Sequence, residues 1–270
     1  MSAPTAALAA AFGEHALQRV AAASPLLALF DIDGTLAPLA PRPQDARVPE
    51  DARRALARLA AAPGVYVGLV TGRGADDGAR LVGLPGLWVV GNHGVETVDP
   101  DGTRHIAPEV LPFAERVARA ADALAGPVAA VPGALLEDKT WSLSVHWRLA
   151  DPASVPALAA AVHAAAAQEG LRVHEGKMIH EVKIDAEVDK GTASLALARR
   201  LGALGPEGLV LFIGDDRTDE DAFRRLRGAS AHALTIRVGT AEQETHAAWR
   251  VDAPTDVHAL LDRLLALRGA

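Results

Sequence analysis

The sequence predicts an α/β protein with a doubly wound parallel sheet and an inserted α+β domain. Toward both ends of the chain, short apolar runs alternate with segments of helical periodicity, a pattern typical of a parallel sheet covered by helices on both faces. The middle of the chain instead contains alternating polar and apolar residues, which indicates a half-buried antiparallel strand. Half of the 270 residues are hydrophobic, so a large core is available.

The predicted parallel strands are unbroken apolar runs. The first is Leu26 to Phe30, which ends at Asp31. Leucines and alanines then recur at helical spacing until Pro63-Gly64 stops the helix, and Val65 to Val70 forms the second buried strand. By the same criteria we predict core strands at 26–30, 65–70, 87–90 and 209–213, and core helices at 48–62, 73–82 and 190–201.

The insertion interrupts this alternation. Between Trp141 and Trp147, apolar residues alternate with Ser, Ser and His, and Glu175-Gly176-Lys177 separates two further short strands in a hairpin-like turn. We predict helices at 109–124 and 155–168 and strands at 141–147, 171–174 and 178–184. The predicted domains are therefore a core of 1–107 and 187–270 and an α+β insertion of 108–186.

The composition argues against several classes of function. A formal charge of −7, with scattered basic residues, provides no positive field for nucleic acid. The absence of cysteine removes disulfides, thiolate metal ligands and thiol catalysis. No apolar stretch approaches the roughly 20 residues that span a bilayer. The alanine-rich first 24 residues predict a helix or a frayed tail rather than a secretory signal. We expect a cytoplasmic protein without a nucleic-acid or membrane partner, and the sequence does not indicate its oligomeric state.

The first chemical motif is Asp31-Ile32-Asp33-Gly34-Thr35-Leu36, which begins where the first predicted strand ends. Ligands of open α/β sheets bind at the carboxyl ends of the strands. Two carboxylates separated by one residue can point to the same side, so that one attacks a substrate while the other transfers protons. The same residues also fit a plain Asp-Gly turn that caps the following helix.

The second motif is the acidic run from Gly214 to Asp221, which follows another buried strand. Five acidic groups within seven residues repel one another unless solvent or a cation compensates them, and Mg²⁺ prefers oxygen ligands of this kind. An acidic first turn of the next helix would explain Asp219 to Asp221. This interpretation would not explain why positions 215 and 216 are also acidic, as Asp215 and Asp216 are.

Two weaker signals accompany these motifs. Thr71-Gly72-Arg73 offers a hydroxyl and backbone amides at a turn from strand to helix, which suits either an ordinary helix cap or a phosphoryl-oxygen site. Lys190 begins a predicted helix, where a positive charge opposes the helix dipole. We therefore expect an anionic partner close to Lys190.

Taken together, these motifs resemble the phosphatases of the haloacid-dehalogenase superfamily, and the resemblance covers nearly the whole chain. It implies a Rossmann-like core in which Asp31, Asp33, Thr71 and Lys190 are catalytic. It also implies a Mg²⁺ site built from Asp31, Asp33, Asp215, Asp216 and Asp219. The insertion between Thr71 and Lys190 is similar to the larger α+β caps that cover the active site and select the substrate.

A narrower resemblance lies in the insertion and in the loop before it. The segments Glu137-Asp138-Lys139, 144–148 and 176–181 are similar to the cap of trehalose-6-phosphate phosphatases, and Gly91-Asn92-His93-Gly94 is similar to their core loop. The resemblance implies that trehalose 6-phosphate is the substrate. The residues that would bind it are Gly72, Arg73, Asn92, His93, Glu137, Lys139, Arg148, Lys177 and Glu181. Several of the charged residues in the insertion also suit solvated strand edges.

Two other functions fit parts of the sequence. A related phosphatase acting on sucrose phosphate, a mannosyl-glycerate phosphate or a hexose phosphate would share the core motifs, because those motifs do not encode the sugar. A receiver-type signalling protein also combines an acidic metal site with a phosphorylated Asp, a Thr and a Lys. Such a receiver needs neither the second carboxylate of the first motif nor a large insertion.

Overall fold

The structure is a computed structural model, and it describes residues 13–184, 187–240 and 244–269. Of the 24-residue alanine-rich segment for which a helix or a tail was predicted, the first half, residues 1–12, lies outside these ranges. The chain divides into two compact units. The large unit contains the residues up to His105 and those from Asp189 onward, and the small unit is Ile106–Val188.

The first half of the chain alternates helices and strands as predicted, and the predicted strands at 26–30 and 65–70 are confirmed without a change of bounds. In chain order the elements are α1 (Glu14–Ala22), β1 (Leu26–Phe30), α2 (Glu50–Ala61), β2 (Val65–Val70), α3 (Ala75–Val82), β3 (Trp88–Gly91), β4 (Glu96–Val98) and β5 (Arg104–Ile106). The helix predicted from Val48 begins at Glu50 in α2. Val48 precedes Pro49, and the residue before a proline favours extended backbone.

The small unit follows, and then the chain returns to the large unit. The small unit contains α4 (Ala114–Ala129), β6 (Leu135–Asp138), β7 (Ser142–His146), α5 (Val155–Gln168), β8 (Arg172–Gly176) and β9 (Ile179–Lys183). The large unit continues with α6 (Lys190–Arg200), β10 (Leu209–Gly214), α7 (Asp219–Ala229), β11 (Ala233–Val238), β12 (Trp249–Val251) and α8 (Pro254–Arg268).

The large unit is built on an eight-stranded sheet of order β12-β11-β10-β1-β2-β3-β4-β5. Strands β12 to β3 run parallel, and β4 is antiparallel to β3. From β1 the chain adds β2 and β3 on one side, whereas β10, β11 and β12 are added on the other. The strand order therefore reverses between β1 and β10, which is where ligands bind in doubly wound sheets.

Helices cover both faces of this sheet. Alternate residues of β1 point to opposite faces, so Leu26, Ala28 and Phe30 pack with α1, α2 and α8. Leu27 and Leu29 belong to a second core cluster, which contains residues of α6 and α7. Because both faces are covered, every residue of β1 and β10 is buried, and this explains why their sequences are continuous apolar runs.

The small unit is an antiparallel sheet of order β6-β7-β9-β8 packed against two helices. Leu143, Val145 and Val182 face α4 and α5 in a separate core. The intervening Ser142, Ser144 and His146 therefore lie on the other face, as the alternation in the sequence predicts. This second face of the sheet is polar.

Some predicted bounds are wrong, and several elements lie beyond the predictions. The helix predicted at 109–124 begins as a 3₁₀ turn over Pro108–Phe113, because Pro112 lacks an amide hydrogen, and α4 then continues to Ala129, where Val128 is buried. The strand predicted at 171–174 extends to Gly176 in β8, and the turn falls on Lys177 and Met178 instead. Strands β4, β5, β6, β11 and β12 and helix α8 were not predicted.

Among the residues that the structure describes, none of the helices combines the length and apolar character needed to cross a lipid bilayer.

We predict that Phe212→Ala destabilises the large unit by about 3–5 kcal/mol, because it removes a large buried side chain and leaves a cavity. Phe212 is fully buried on β10 and contacts the ring of Phe223 edge-on at a centroid distance of 5.7 Å. Urea unfolding measures the change. The control, Leu39→Ala, alters a side chain that is 74% exposed, and we expect it to change the free energy of unfolding by less than about 0.5 kcal/mol. Equal effects of the two substitutions would contradict this description of the core.

Candidate active site

The two acidic motifs meet at the point where the strand order reverses. Phe30 of β1 and Ile213 of β10 are parallel partners, and the amide of Asp31 donates to the carbonyl of Ile213 at 2.9 Å. Asp31 follows β1 and Asp215 follows Gly214 at the end of β10, so both carboxylates leave the sheet at the same edge. This is the crevice position in which doubly wound proteins bind ligands.

Lys190 is the centre of a buried ion cluster. Its Nζ lies 2.8 Å from Oδ1 of Asp31 and 2.8 Å from Oδ1 of Asp219, and its side chain is only 1% exposed. Burial alone lowers the pKa of Lys190, but attraction to Asp219, Asp31 and Asp216 outweighs it and raises the pKa well above its usual value. The anionic partner predicted for Lys190 is confirmed.

Asp219 holds both Lys190 and the acidic loop. Its Oδ2 accepts hydrogen bonds from the backbone amides of Asp215 at 2.9 Å and Asp216 at 3.0 Å. Gly214 leaves space for this carboxylate, because a β-carbon at position 214 would collide with it. The carboxylate of Asp219 thus fixes the shape of the loop after β10.

Asp216 is oriented by the start of α7. Its Oδ1 accepts from the amide and hydroxyl of Thr218 at 2.8 and 2.7 Å and from the amide of Asp219 at 3.0 Å. Although partial burial opposes the shift, the charge of Lys190 and these hydrogen bonds lower the pKa of Asp216 to about 2. Asp219 to Asp221 do lie in the first turn of α7, as considered from the sequence, whereas Asp216 lies before the helix and accepts from its first amide.

The donor set suits a divalent cation. Asp31, Asp215 and Asp219 each offer a carboxylate oxygen, and these oxygens lie within 4.8 Å of one another. Among the residues that the structure describes, this is the one group of three potential metal ligands. Burial, together with repulsion from neighbouring carboxylates, raises the pKa of Asp31 and of Asp215 to about 7. Lys190 brings one positive charge to the carboxylates of Asp31, Asp216 and Asp219, and a hard dication would compensate the remaining negative charge.

The turn after β1 brings Asp215 into this group. Gly34 has φ +89°, and a β-carbon at this position would collide with the carboxylate of Asp215, so the close approach requires glycine. The hydroxyl of Thr35 donates to Oδ1 of Asp215 at 3.4 Å. Thr35 belongs to the first motif, but no role for it was predicted.

Thr71, Gly72 and Arg73 form the turn after β2. Since β2 pairs in parallel with β1, Thr71 leaves the sheet at the same edge as Asp31. Thr71 is 1% exposed, and its Oγ1 accepts from the amide of Arg73 at 3.1 Å. This turn delays the start of α3 until Ala75, which explains why the helix predicted from residue 73 begins two residues later.

The side chain of Arg73, predicted to bind substrate, contacts the second carboxylate of the first motif. Its Nε lies 2.6 Å from Oδ2 of Asp33, and its Nη2 lies 2.7 Å from Oδ1 of the same group. Arg73 also donates to Asp77 at 2.9 Å and to the carbonyl of Pro43 at 2.8 Å. The carboxylate of Asp33 is thus held by a bidentate pair.

The loop 91–94 packs against this turn. Asn92 and His93 have φ values of 49° and 56°, and the ring of His93 occupies the space that a side chain at position 72 would need. The Nδ2 of Asn92 and the amide of Ala75 both donate to Oε1 of Glu96 at 2.8 Å. Glu96 was not among the predicted site residues. In the sequence, its position four residues after Asn92 could have indicated a contact between the two side chains.

In the small unit, three predicted substrate residues lie on or beside the polar face of the sheet. Glu137 and Glu181 flank Ser144 in register, and Lys139 Nζ is 3.8 Å from Oε2 of Glu137. His146, which was not predicted, contacts Glu137 through Nε2 at 2.8 Å.

Two further predicted substrate residues, Arg148 and Lys177, are exposed. They lie in neighbouring turns, because the amide of Trp147 donates to the carbonyl of Met178 at 3.1 Å. All five predicted residues of the insertion are thus accessible or partly accessible in the small unit.

Comparisons with known proteins agree with this arrangement. Residues 29–255 match the family model described as trehalose-phosphatase. A trehalose-phosphate phosphatase of Mycobacterium avium (strain 104) is 35% identical over 239 residues, which cover 87% of this chain. The chain spans 61% of the length of that relative.

Solved structures are also similar. A trehalose-6-phosphate phosphatase related protein superposes with a TM-score of 0.75 at 25% identity, covering 90% of this chain and 100% of that one. A haloacid dehalogenase-like hydrolase from Bacteroides thetaiotaomicron, with a TM-score of 0.59 and 14% identity, covers 88% of this chain and 98% of its own and shares the fold. On its sequence and its haloacid-dehalogenase-like fold, the chain belongs to the trehalose-phosphatase family.

Proposed function

We propose that this protein hydrolyses trehalose 6-phosphate to trehalose and phosphate through an aspartyl-phosphate on Asp31. The observation that carries the proposal is the buried Asp31–Lys190–Asp219 cluster at the crevice of the sheet, next to carboxylates that suit a divalent cation. Membership of the trehalose-phosphatase family supports the choice of reaction and of sugar.

In the first step, an oxygen of Asp31 attacks phosphorus and the bond between phosphorus and the sugar oxygen breaks. Asp33 donates a proton to the departing sugar oxygen. In the second step, water attacks phosphorus, Asp33 accepts the proton of that water, and the bond to Asp31 breaks. Asp31 is regenerated, and phosphate is released. A positioned acid–base group of this kind contributes typically about 10²- to 10⁴-fold in rate.

Thr71 and Lys190 hold the transferring group. The hydroxyl of Thr71 and the ammonium of Lys190 lie at the same edge of the sheet as Asp31 and would bind phosphoryl oxygens as charge shifts onto them. Asp219 keeps the ammonium of Lys190 charged and oriented. The turn of Gly72 and the loop of Asn92 and His93 would line the phosphate side of the site.

A divalent cation fits the same carboxylates, and we propose Mg²⁺ because it prefers oxygen ligands and phosphate. Asp31, Asp215 and the carbonyl of Asp33 would hold it, with Asp216 and Asp219 supporting the loop. Bound there, Mg²⁺ supplies positive charge that offsets the repulsion between the carboxylate and the phosphate ester.

We propose that the small unit is the domain that selects the sugar. Its polar sheet face and adjacent turns carry the charged groups that hydrogen-bond to sugar hydroxyls in fixed directions. The proposed sugar-binding residues are Glu137, Lys139, Arg148, Lys177 and Glu181.

Replacing the nucleophile tests the covalent route. We expect Asp31→Asn to reduce turnover by about a thousandfold or more, because an amide oxygen does not form the phosphoenzyme. The fold should persist, since Lys190 retains Asp219 as an ionic partner. Phosphate release and thermal unfolding measure the two effects. Asp262→Asn on the exposed surface of α8 is the matched control and should behave as wild type. Phosphate release by Asp31→Asn at near wild-type rate would refute the covalent route.

Removing the metal tests the cation site. We expect EDTA to abolish activity and to lower the thermal midpoint, because a cation that binds the folded state stabilises it, and added Mg²⁺ should restore both. Asp215→Asn should weaken Mg²⁺ binding by about tenfold or more in calorimetry, since it removes one charged ligand. Undiminished activity in chelator, or unchanged Mg²⁺ affinity in Asp215→Asn, would contradict the proposed site.

A substrate panel tests the sugar. We expect phosphate release from trehalose 6-phosphate to exceed that from sucrose 6-phosphate and glucose 6-phosphate. Lys177→Ala and Glu181→Gln should raise the KM for trehalose 6-phosphate by about tenfold while leaving the hydrolysis of 4-nitrophenyl phosphate nearly unchanged. The control is Glu115→Gln, whose side chain is 91% exposed on α4. A preference for sucrose 6-phosphate would assign a different sugar to the same chemistry.

A further inference from the structure

Arg73 is held by hydrogen bonds to Asp33, Asp77 and the carbonyl of Pro43. Its side chain is 13% exposed, and it connects the turn after β2 with two other segments. Two of its nitrogens contact the two carboxylate oxygens of Asp33 at 2.6 and 2.7 Å. This fork-to-fork geometry fixes the plane of the carboxylate as well as its distance.

The remaining donors of Arg73 are largely used as well. A guanidinium has five N–H groups. Besides the two bonds to Asp33, Nη1 donates to Asp77 at 2.9 Å and Nη2 donates to the carbonyl of Pro43 at 2.8 Å. Within the described part of the chain, these four bonds leave one N–H, on Nη1, without an acceptor. One free N–H cannot make the bidentate contact by which arginine characteristically holds a phosphoryl group.

We propose that Arg73 is a positioning residue that orients Asp33, that Asp77 anchors Arg73, and that Arg73 does not bind the phosphoryl group. The inference rests on the proposed function, in which Asp33 transfers protons to the sugar oxygen and from water. It differs from the substrate-binding role that the sequence resemblance implies for Arg73.

The physical argument is one of alignment. An ionised carboxylate has about four lone-pair positions, and a bidentate arginine uses one on each oxygen. The other position on each oxygen is left for the proton that Asp33 donates to the sugar oxygen and later accepts from water. Asp33 is one-third exposed and lies directly before Gly34 in the turn after β1, so without Arg73 its side chain would sample other rotamers. Misplacement of a catalytic group by about 1 Å costs on the order of 10²-fold in rate.

A double-mutant cycle tests whether Arg73 acts through Asp33. In the wild-type background, Arg73→Gln should lower kcat on trehalose 6-phosphate by about 10- to 100-fold. In an Asp33→Ala background, the same substitution should change kcat by less than about threefold, because there is no carboxylate left to orient. A role in phosphate binding, or a general structural role, would instead reduce the rate by the same factor in both backgrounds.

The leaving group provides an independent readout. 4-Nitrophenolate departs without protonation, so the first turnover of 4-nitrophenyl phosphate does not need an acid. We expect stopped-flow traces of Arg73→Gln to contain a burst of about one equivalent of 4-nitrophenolate at near wild-type rate. Slow turnover should follow, because water attack still requires Asp33 as a base. Loss of the burst together with a raised KM would mean that Arg73 binds the phosphoryl group, and would overturn the proposal.

Asp77→Asn tests whether Asp77 anchors Arg73, and Arg80→Gln is its control. Asp77→Asn should reproduce the Arg73→Gln pattern in weaker form. Arg80 contacts the same Asp77 carboxylate at 3.1 Å but is 73% exposed and does not contact Asp33. Arg80→Gln should therefore leave both substrates unaffected. Wild-type kinetics in both Arg73→Gln and Asp77→Asn would overturn the proposal.

If Arg73→Gln does not fold, the cycle uses Arg73→Lys, which keeps the charge but not the fork and should lose the rate to a smaller extent. If the wild type does not hydrolyse trehalose 6-phosphate, the proposed sugar is wrong. The cycle is then run on the alkyl phosphate that the wild type does hydrolyse, and equal losses in the two backgrounds would still overturn the role of Arg73.

Discussion

The site depends on one buried interaction, the contact of Lys190 with Asp31 and Asp219. A lysine ammonium that is removed from water is costly unless it is paired with carboxylates, and here two carboxylates contact it directly. Lys190 is the first residue of α6, Asp31 follows β1, and Asp219 is the first residue of α7. Three segments that are distant in the chain must therefore assemble together before the cluster is satisfied.

The topology of the sheet supplies the place for this cluster. The strand order reverses between β1 and β10, and doubly wound sheets bind ligands in the crevice at such a position. Parallel pairing puts the residues after β1, β2 and β10 at the same edge. Acidic side chains that repel one another are thereby concentrated at one edge of the sheet.

Around the cluster, polar side chains mainly hold other polar groups of the protein. Glu96 binds the side chain of Asn92 and the first amide of α3, Asp216 caps α7, and Arg73 clamps Asp33. A preorganised site needs such supports, because the reacting groups must be held near their productive geometry. These supports and the reacting groups are made of the same residue types, so residue type alone does not distinguish them.

Local sequence by itself determined the parallel strands β1, β2 and β10, the alternating strand β7 and the acidic motifs. Burial on both faces of a sheet requires a continuous apolar run, burial on one face requires alternation, and the acidic motifs directly follow such runs. It also indicated that Lys190 needs an anion. Tertiary structure decided which anion that is, which carboxylate Arg73 holds, and that Glu96 supports the loop 91–94. These contacts join residues up to 159 positions apart along the chain, as for Lys190 and Asp31. Their partners are chosen by the register of the sheet and the packing of its helices, which no local pattern of residues encodes.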